Sequence, residues 1–317
     1  MTGYFLRRLL WIIPILWAVA TITFFLMHAV KGGPFEAGEG RSSAGARAAL
    51  AAKYHLDEPV YKQYGYWLKD LVQGDLGPDL VQQGNSVNSI LESTWRPTVE
   101  LGVLTTIYAV VVGIVLGVLA AMRRNSIIDY LSVGFATLGA SMPNFVLGIM
   151  LVLLFAVKWK FFPAVGWSPD PLIKSPDLTA WKYVVLPVIA LGSLPAAYIA
   201  RITRASMLEV MHQDYVRTAE AKGLRERVIV VRHIVRNALI PVLTLIGPIA
   251  AGLLTGSFVI EYFFNIPGIG RAYVNSILAR DYPMILATTL LYAFVIVIAN
   301  LLVDVLYAVV DPRIRYS

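Results

Sequence analysis

Residues 201–241 of this chain read RITRASMLEVMHQDYVRTAEAKGLRERVIVVRHIVRNALIP, a basic segment between two apolar runs. A segment of this length is longer than a simple connector needs to be, and it can form helices of its own outside a membrane. Asp214 is a suitable N-cap, because its carboxylate can accept hydrogen bonds from free backbone amides. Gly223 can adopt the left-handed conformation that ends a helix, with Leu224 packing back against it. We therefore predict a short capped helix whose surface is suited to binding another protein.

The composition is that of a membrane protein. The 317 residues are 57% hydrophobic and the mean hydropathy is +0.66, well above that of a soluble globular protein. The length suits a single transmembrane domain over residues 1–317. The chain has no cysteine, which excludes disulfides, thiolate zinc sites and iron–sulfur clusters. The net charge of +7 does not indicate nucleic-acid binding, because the basic residues border apolar runs instead of forming a separate domain.

Six apolar runs are each long enough to span a bilayer. They cover residues 9–30, 98–122, 133–157, 184–203, 239–260 and 285–309. The first run continues to about Val30 with no small-residue cleavage site before it ends, so we interpret it as a retained span and not as a signal peptide. Basic residues are densest on the side that holds both chain ends, which predicts that both termini are cytoplasmic.

A long extracytoplasmic segment, residues 31–97, is predicted between the first two spans. Within it, residues 43–53 have a helical composition and residues 60–71 are aromatic and amphipathic. The segment could cap the outer face of the bundle or bind an external partner, and the two roles are compatible.

Several motifs, in order along nearly the whole chain, resemble one family. Residues 214–223 and 236–241 are similar to the cytoplasmic loop of binding-protein-dependent ABC importer permeases, and more narrowly to that of the dipeptide/oligopeptide permease family. Further similar motifs are Arg7–Pro14, Gly74–Gly77, Ser141–Phe145, Phe264–Arg271, Asp281–Pro283 and Asp311–Tyr316. The sequence departs from the pattern at Arg217–Ala219, where the general importer loop has Glu-Ala-Ala, and at Lys31–Pro34, which lacks a Gly-Asp-Pro motif.

The resemblance implies an all-α, six-span bundle of the type I ABC importer permease kind, without a catalytic site. It implies a cytoplasmic coupling loop over residues 204–238, although a juxtamembrane helix bound to anionic lipid remains an alternative on spacing alone. The residues that it implies for contact with an ATPase are Asp214, Tyr215, Arg217, Thr218, Ala219, Glu220, Ala221, Lys222, Gly223 and Leu224.

The resemblance also implies a set of partners in a bacterial or archaeal cytoplasmic membrane. They are a second homologous permease, two ATPase subunits that bind ATP and Mg, and an extracytoplasmic binding protein, together with membrane lipid. The sequence contains no Gly-x-x-x-x-Gly-Lys-Ser/Thr phosphate loop, so it offers no ATP site of that kind. We expect no metal and no cofactor in this chain itself.

Polar residues inside the predicted spans are candidates for a translocation path. In the third run a proline frees a backbone carbonyl beside Ser and Asn side chains, and such groups in a span tend to face a cavity. A kink that only eases packing is an equally good interpretation. The candidates are Ser141, Met142, Pro143 and Asn144, with Thr255 and Ser257 of the fifth run as weaker ones.

The last outer loop is a further candidate, because its prolines and glycines predict a defined turn. It is either a tight external turn or a gate that contacts the binding protein. The residues concerned are Phe264, Asn265, Pro267, Gly268 and Arg271.

Two other classes of protein fit less well. An ion-coupled secondary carrier would place several ionisable groups at mid-membrane, whereas Asp304 is the one carboxylate well inside a predicted span. An intramembrane serine protease would need a base beside Ser141, and no histidine lies inside a later span. The cargo implied by the resemblance is a di- or oligopeptide, with nickel, glutathione or an oligosaccharide as alternatives.

Overall fold

The computed structural model of the protein describes residues 2–29, 57–80, 84–168 and 178–310. Within those ranges the chain is mostly helical and forms no β-strand beyond an isolated bridge between Pro78 and Ser86. The predicted all-α class is confirmed. The predicted helical stretch at residues 43–53 and the C-terminal motif Asp311–Tyr316 lie outside the described residues.

The described residues form twelve helices. They are α1 (Thr2–Ala29), α2 (Val60–Val72), α3 (Val87–Met122), α4 (Ile127–Ser141), α5 (Asn144–Lys158), α6 (Leu178–Val210), α7 (Asp214–Ala221), α8 (Glu226–Ala238), α9 (Ile240–Leu254), α10 (Phe258–Phe263), α11 (Ile269–Ala279) and α12 (Tyr282–Val310). Two stretches have π-helical winding, Val152–Lys158 at the end of α5 and Ile229–Val235 within α8.

Four single helices, α1, α3, α6 and α12, are long and apolar enough to cross a membrane. Two bent pairs, α4 with α5 and α8 with α9, bring the number to six when each pair is taken as one span. Each predicted apolar run falls on one of these six. The rings of His28 at the end of α1 and Tyr282 at the start of α12 are 5.4 Å apart. The start of α12 packs on the start of α3 through Met284 and Val87, whereas α7 packs near the end of α3 through Ala121. The contact between α1 and α12 therefore lies at the end of the bundle opposite α7.

The third span is not the continuous helix that the sequence predicts. Its two parts, α4 and α5, meet at 111°. Met142 and Pro143 between them are extended, with ψ angles of 133° and 139°. The physical reason is that Pro143 has no amide hydrogen to donate and clashes with a helical conformation at the preceding residue.

The fifth span ends earlier than predicted. Helix α9 stops at Leu254, and Gly256 follows with a left-handed φ of 84°. Thr255 and Ser257 therefore lie in the turn between α9 and α10, and the prediction that they belong to the fifth span is wrong. Ser257 is instead the N-cap of α10, where its hydroxyl accepts a hydrogen bond from the amide of Ile260 at 3.3 Å.

Helix α6 is the centre of the bundle. In its most apolar stretch 67% of the residues are buried, against 17% to 33% in the other three single-helix spans. Helix α3 packs along it through glycines. A Cβ atom at Gly113 would lie 2.7 Å from the Cβ of Ile199, and one at Gly117 would lie 2.5 Å from the Cβ of Thr203. The two helix backbones approach each other this closely because no side chain separates them.

Helix α2 confirms the predicted amphipathic helix after residue 60 and lies against the end of α1. The ring of Trp67 stacks on Phe24 with centroids 5.4 Å apart, and the Tyr64 hydroxyl is 2.7 Å from the Thr21 hydroxyl. The opposite side of α2 is open, with Tyr61 68% exposed. The helix therefore covers the end of α1 and still presents an aromatic surface.

Candidate functional site

Helix α7 is held on the bundle by one narrow stripe. Val216 and Ala219 are buried, and both belong to an apolar cluster with Met207 of α6, Ala121 of α3 and Ile229 of α8. The remaining positions of α7 are exposed. The helix is thus fixed in position by its inner face and leaves its outer face free.

The start of α7 differs from the prediction by one residue. The N-cap is Gln213, whose side chain makes no capping hydrogen bond, and Asp214 is the first helical residue with a fully exposed side chain. The prediction that Asp214 is the N-cap is therefore wrong. In the first turn its carboxylate still interacts favourably with the positive end of the helix dipole.

The end of α7 has the predicted glycine turn. Gly223 has a left-handed φ of 71°. Its amide donates to the carbonyl of Glu220 at 2.9 Å, and the amide of Leu224 donates to the carbonyl of Ala219 at 3.4 Å. This pair of bonds is a Schellman motif, so the left-handed role of Gly223 is confirmed. Leu224 itself stays 42% exposed and is not part of the cluster beneath α7.

The outer face of α7 and the start of α8 form one exposed surface of mixed charge and hydrophobicity, which we call the α7 surface. Its charged side chains stand beside exposed apolar ones, as is usual for protein interfaces. Its members are Tyr215, Arg217, Thr218, Glu220, Ala221, Lys222, Leu224, Arg225, Arg227, Val228, Val231 and Arg232.

A cavity lies beside α6, along helix α4. Ser141 is exposed at the end of α4 and donates a hydrogen bond to the carbonyl of Thr137 at 2.7 Å. Both residues line a cavity of about 350 Å³ between α3, α4 and α6, which Arg201 and Arg204 also line. Asn144, the first residue of α5, is half-buried. The structure therefore places Ser141 beside α6, whereas Thr255 and Ser257 lie in the turn after α9.

At the end of the bundle opposite α7, a buried carboxylate organises the last loop. Glu261 of α10 is fully buried. It accepts hydrogen bonds from the Thr98 hydroxyl at 3.1 Å, the Gly270 amide at 2.8 Å and the Ser257 amide at 3.3 Å. The Thr98 hydroxyl in turn accepts from the amide of Ile269 at 2.9 Å. One carboxylate thus joins α3, α10 and the start of α11.

Glycines make room for this carboxylate. A Cβ atom at Gly256 or at Gly268 would overlap the carboxylate of Glu261, and one at Gly270 would lie 3.0 Å from its Cδ. Glu261 is not among the predicted site residues, because the predicted fifth span ends one residue before it. A signal was available, since a single acidic residue stands among apolar neighbours and glycines follow it at 268 and 270.

The predicted contact residues of the last loop separate into two groups. Phe264 is 1% exposed and belongs to the central apolar cluster, and Gly268 is buried against Glu261, so neither presents a surface to a partner. Asn265 and Pro267 are exposed. Arg271 is half-buried and lines a cavity of about 240 Å³ together with Pro267, Gly268 and residues of α3 and α12.

Asp281 ties this loop to the segment before α3. Its carboxylate accepts from the amide of Met284 at 3.1 Å, as the cap of α12, and from the amide of Leu80 at 2.8 Å. Gly77 lies against Pro283, since a Cβ there would be 3.5 Å from the Pro283 Cβ. The motifs Gly74–Gly77 and Asp281–Pro283, far apart in the sequence, therefore meet in the fold.

The environment of Glu261 changes its acidity. Helix α10 lies beyond the end of the fifth span, and burial raises the pKa of the Glu261 carboxyl to about 7 from its usual 4.5. Hydrogen bonds from backbone amides and from Thr98 act in the opposite direction and offset only part of this increase. Glu261 can therefore hold a proton at a pH at which an exposed glutamate is ionised.

The chain is similar to known proteins over its whole length. Residues 113–316 match the family described as binding-protein-dependent transport system inner membrane component. The dipeptide transport system permease protein DppB of Bacillus subtilis (strain 168) is 44% identical over 99% of this chain and 98% of that protein. The oligopeptide transport system permease protein OppB of Haemophilus influenzae is 42% identical over the full length of both.

A solved structure has a similar fold. It is the crystal structure of an amino acid ABC transporter with histidines, with a TM-score of 0.52 and 16% identity, over 69% of this chain and 93% of that one. The likeness supports the predicted bundle of the importer permease kind.

We predict that Glu261 makes the folded chain less stable as the pH rises. Because its pKa is higher in the folded than in the unfolded chain, its contribution to stability is present below about pH 4.5 and is lost as the pH rises through about 7. The effect should amount to about 1–3 kcal/mol. The measurement is the temperature of thermal unfolding in detergent between pH 5 and pH 8. This temperature should fall more steeply with pH for the unmutated chain than for Glu261→Gln, whose side chain cannot titrate. Equal slopes would show that Glu261 is ionised throughout.

Proposed function

Because this chain belongs to the family of binding-protein-dependent transport system inner membrane components, we propose that it is a permease subunit of an ATP-driven importer of di- or oligopeptides. The observation that carries the proposal is the identity of 42–44%, over nearly the whole chain, to relatives named as dipeptide and oligopeptide permeases. In this proposal the chain forms half of the translocation path, and an extracytoplasmic binding protein delivers the cargo.

In this proposal the chain transmits the energy of ATP hydrolysis to the transmembrane helices and does not hydrolyse ATP itself. Its sequence has no phosphate loop, so ATP and Mg would be bound by two partner ATPase subunits. The α7 surface supports docking on such a partner, because Val216 and Ala219 hold α7 rigidly while the charged and apolar side chains of its other face stay exposed. Closure of the ATPases would then move α6 and α8 as packed bodies, as in other rigid-body transitions.

The proposed orientation places the α7 end of the bundle, and both chain termini, in the cytoplasm of a bacterial or archaeal cell. The density of basic residues at this end supports it, since Arg217, Lys222, Arg225, Arg227 and Arg232 lie within one short segment. The opposite end, with α2, α11 and the loop around Glu261, would then face the binding protein. Of the predicted contact residues there, Asn265, Pro267 and Arg271 stay accessible to that partner.

Reconstitution tests the function directly. We expect uptake of labelled trialanine into proteoliposomes when this chain is assembled with a second permease, two ATPases and the loaded binding protein, and ATP is inside. The chain alone should neither hydrolyse ATP nor take up peptide. Uptake of nickel or glutathione by the full assembly, without uptake of peptide, would contradict the assigned cargo.

Cysteine labelling tests the orientation, because the chain has no cysteine of its own. Asn275 and Thr218 are exposed at opposite ends of the bundle. We expect Asn275→Cys to react with a membrane-impermeant maleimide from outside intact cells, and Thr218→Cys to react only after permeabilisation. The reverse pattern would show that the α7 end is extracytoplasmic.

Gly223 provides a test of the coupling between ATP hydrolysis and transport, because a substitution there acts through the backbone conformation. A Cβ at Gly223 would meet no atom within 4 Å, so a substitution acts through the left-handed φ and not through a clash. Valine should cost about 1–3 kcal/mol in this conformation. We expect Gly223→Val to lower uptake, and the stimulation of ATP hydrolysis by loaded binding protein, by about fivefold or more.

The matched control is Gly223→Asn, because asparagine adopts the left-handed conformation more readily than other side chains. It should keep most of the coupling, and both variants should insert and assemble normally. Normal coupling in Gly223→Val would mean that α7 does not transmit force to the spans.

A further inference from the structure

We propose that Arg201 of α6 is a cargo-binding residue of the translocation path, which receives the C-terminal carboxylate of a peptide as it passes. The inference rests on the proposed function and names one chemical group of the cargo that this chain recognises. Arg201 is exposed in Ala180–Val210, the stretch of α6 that is long and apolar enough to span a membrane. A charged side chain at such a position is costly unless water or an opposite charge accompanies it.

The neighbouring arginine, Arg204, is neutralised by an ion pair within the chain. One turn further along α6, Arg204 forms a bidentate pair with Asp129 of α4, Nε to Oδ1 at 2.7 Å and Nη2 to Oδ2 at 2.8 Å. Asp129 also accepts from the amide of Asn125. This pair joins the ends of α4 and α6 and leaves no free charge at Arg204.

Arg201 has no such partner in the part of the chain that the structure describes. Its guanidinium lies over the ring of Tyr198, 5.9 Å from the centroid, and no described carboxylate is within ion-pair distance of it. A cation–π contact of this kind at an exposed site contributes only about 0.5–1 kcal/mol. The charge is therefore available to an anion that comes from outside the chain.

The surface around Arg201 is concave and partly polar. In the middle of α6, between its exposed first turn and the exposed Glu209 near its end, the exposed residues fall on one stripe, Leu194, Tyr198, Arg201 and Ala205. Arg201 lines two cavities, the one of about 350 Å³ shared with α3 and α4 and another of about 410 Å³ shared with α9. Thr137 and Ser141 bring hydroxyl groups to the first cavity. By contrast, the exposed stretch of α1 from Leu9 to Ile13 is wholly apolar, as expected for contact with lipid.

The direction of the side chain argues against a lipid headgroup as the anion. Arg201 lies nine residues before the end of α6 at Val210, about 14 Å along the helix. An arginine that reached the nearer headgroups would extend towards that end. Its guanidinium instead folds back over Tyr198, towards the start of the helix. It thus extends along α6 away from the nearer end of the helix, and therefore away from the headgroups at that end.

A carboxylate fits this position chemically. The guanidinium group offers a planar pair of donors that binds a carboxylate in two parallel hydrogen bonds, more strongly than neutral donors do. Every unblocked peptide has one C-terminal carboxylate, whatever its side chains. An arginine in the path would therefore recognise a group that is common to peptides of different sequence.

The test compares two cargoes that differ only in this group, trialanine and trialanine C-terminal amide, in proteoliposomes with the full assembly. For each cargo the measured quantity is the ratio of the uptake rate of the variant to that of the unmutated assembly. The variant and the unmutated assembly use the same binding protein, so the preference of the binding protein for one cargo cancels in this ratio. We expect Arg201→Gln to lower the uptake of free trialanine about tenfold and that of the amide by less than about twofold. Arg201→Lys should restore part of the loss.

Arg204→Gln is the matched control at the next turn, because it breaks the structural pair with Asp129. It should lower thermal stability and affect both cargoes equally. Three results would overturn the inference for Arg201→Gln: equal loss for both cargoes, loss of assembly with the second permease, or a loss that depends on the content of anionic lipid. If the unmutated assembly takes up neither peptide, the proposed function is wrong, and the inference about Arg201, which rests on it, is wrong as well.

Discussion

The close packing of α3 on α6 is the constraint on which the rest of the fold depends. Gly113 and Gly117 bring the two backbones so near that a methyl group at either position would collide with Ile199 or Thr203. Lipid gives little hydrophobic drive for helices to associate, so such contacts come from close van der Waals fit. With α3 fixed against it, the middle of α6 presents one exposed stripe. The positions of α7 at its end and of the bent α4–α5 pair at its side follow from this.

The two ends of the bundle are held together by different kinds of contact, polar at one end and apolar at the other. At the end opposite α7, Glu261 and Asp281 collect backbone amides from α10, α11, α12 and the segment before α3. Buried carboxylates can do this because each oxygen accepts several hydrogen bonds, and a buried amide without a partner is costly. At the α7 end the interactions are apolar beneath the helix and leave its charged side open. One end is therefore tied together internally, and the other remains available to a partner.

These two ends are connected by rigid elements. Helix α6 runs without interruption from Leu178 to Val210, about 50 Å. It carries the α7 turn at its end and the exposed stripe with Arg201 along its length. A displacement of α7 would therefore reach the cavities beside α6 through one packed helix. Breaks occur elsewhere, at Pro143 and at Gly256, where segments can change angle without unfolding the central pair.

The sequence by itself determined the helical class, the six apolar runs, the amphipathic α2 and the glycine turn after α7, because hydrophobic periodicity and turn chemistry are local properties. The motifs that resemble importer permeases also identified the family. Only the tertiary structure decided the 111° break of the third span, the burial of Phe264 and the role of Glu261. It also distinguished Arg204 from Arg201, two like residues one turn apart, because the Asp129 that neutralises Arg204 is 75 residues away in the chain. Pairing and desolvation depend on such distant contacts, which no local pattern specifies.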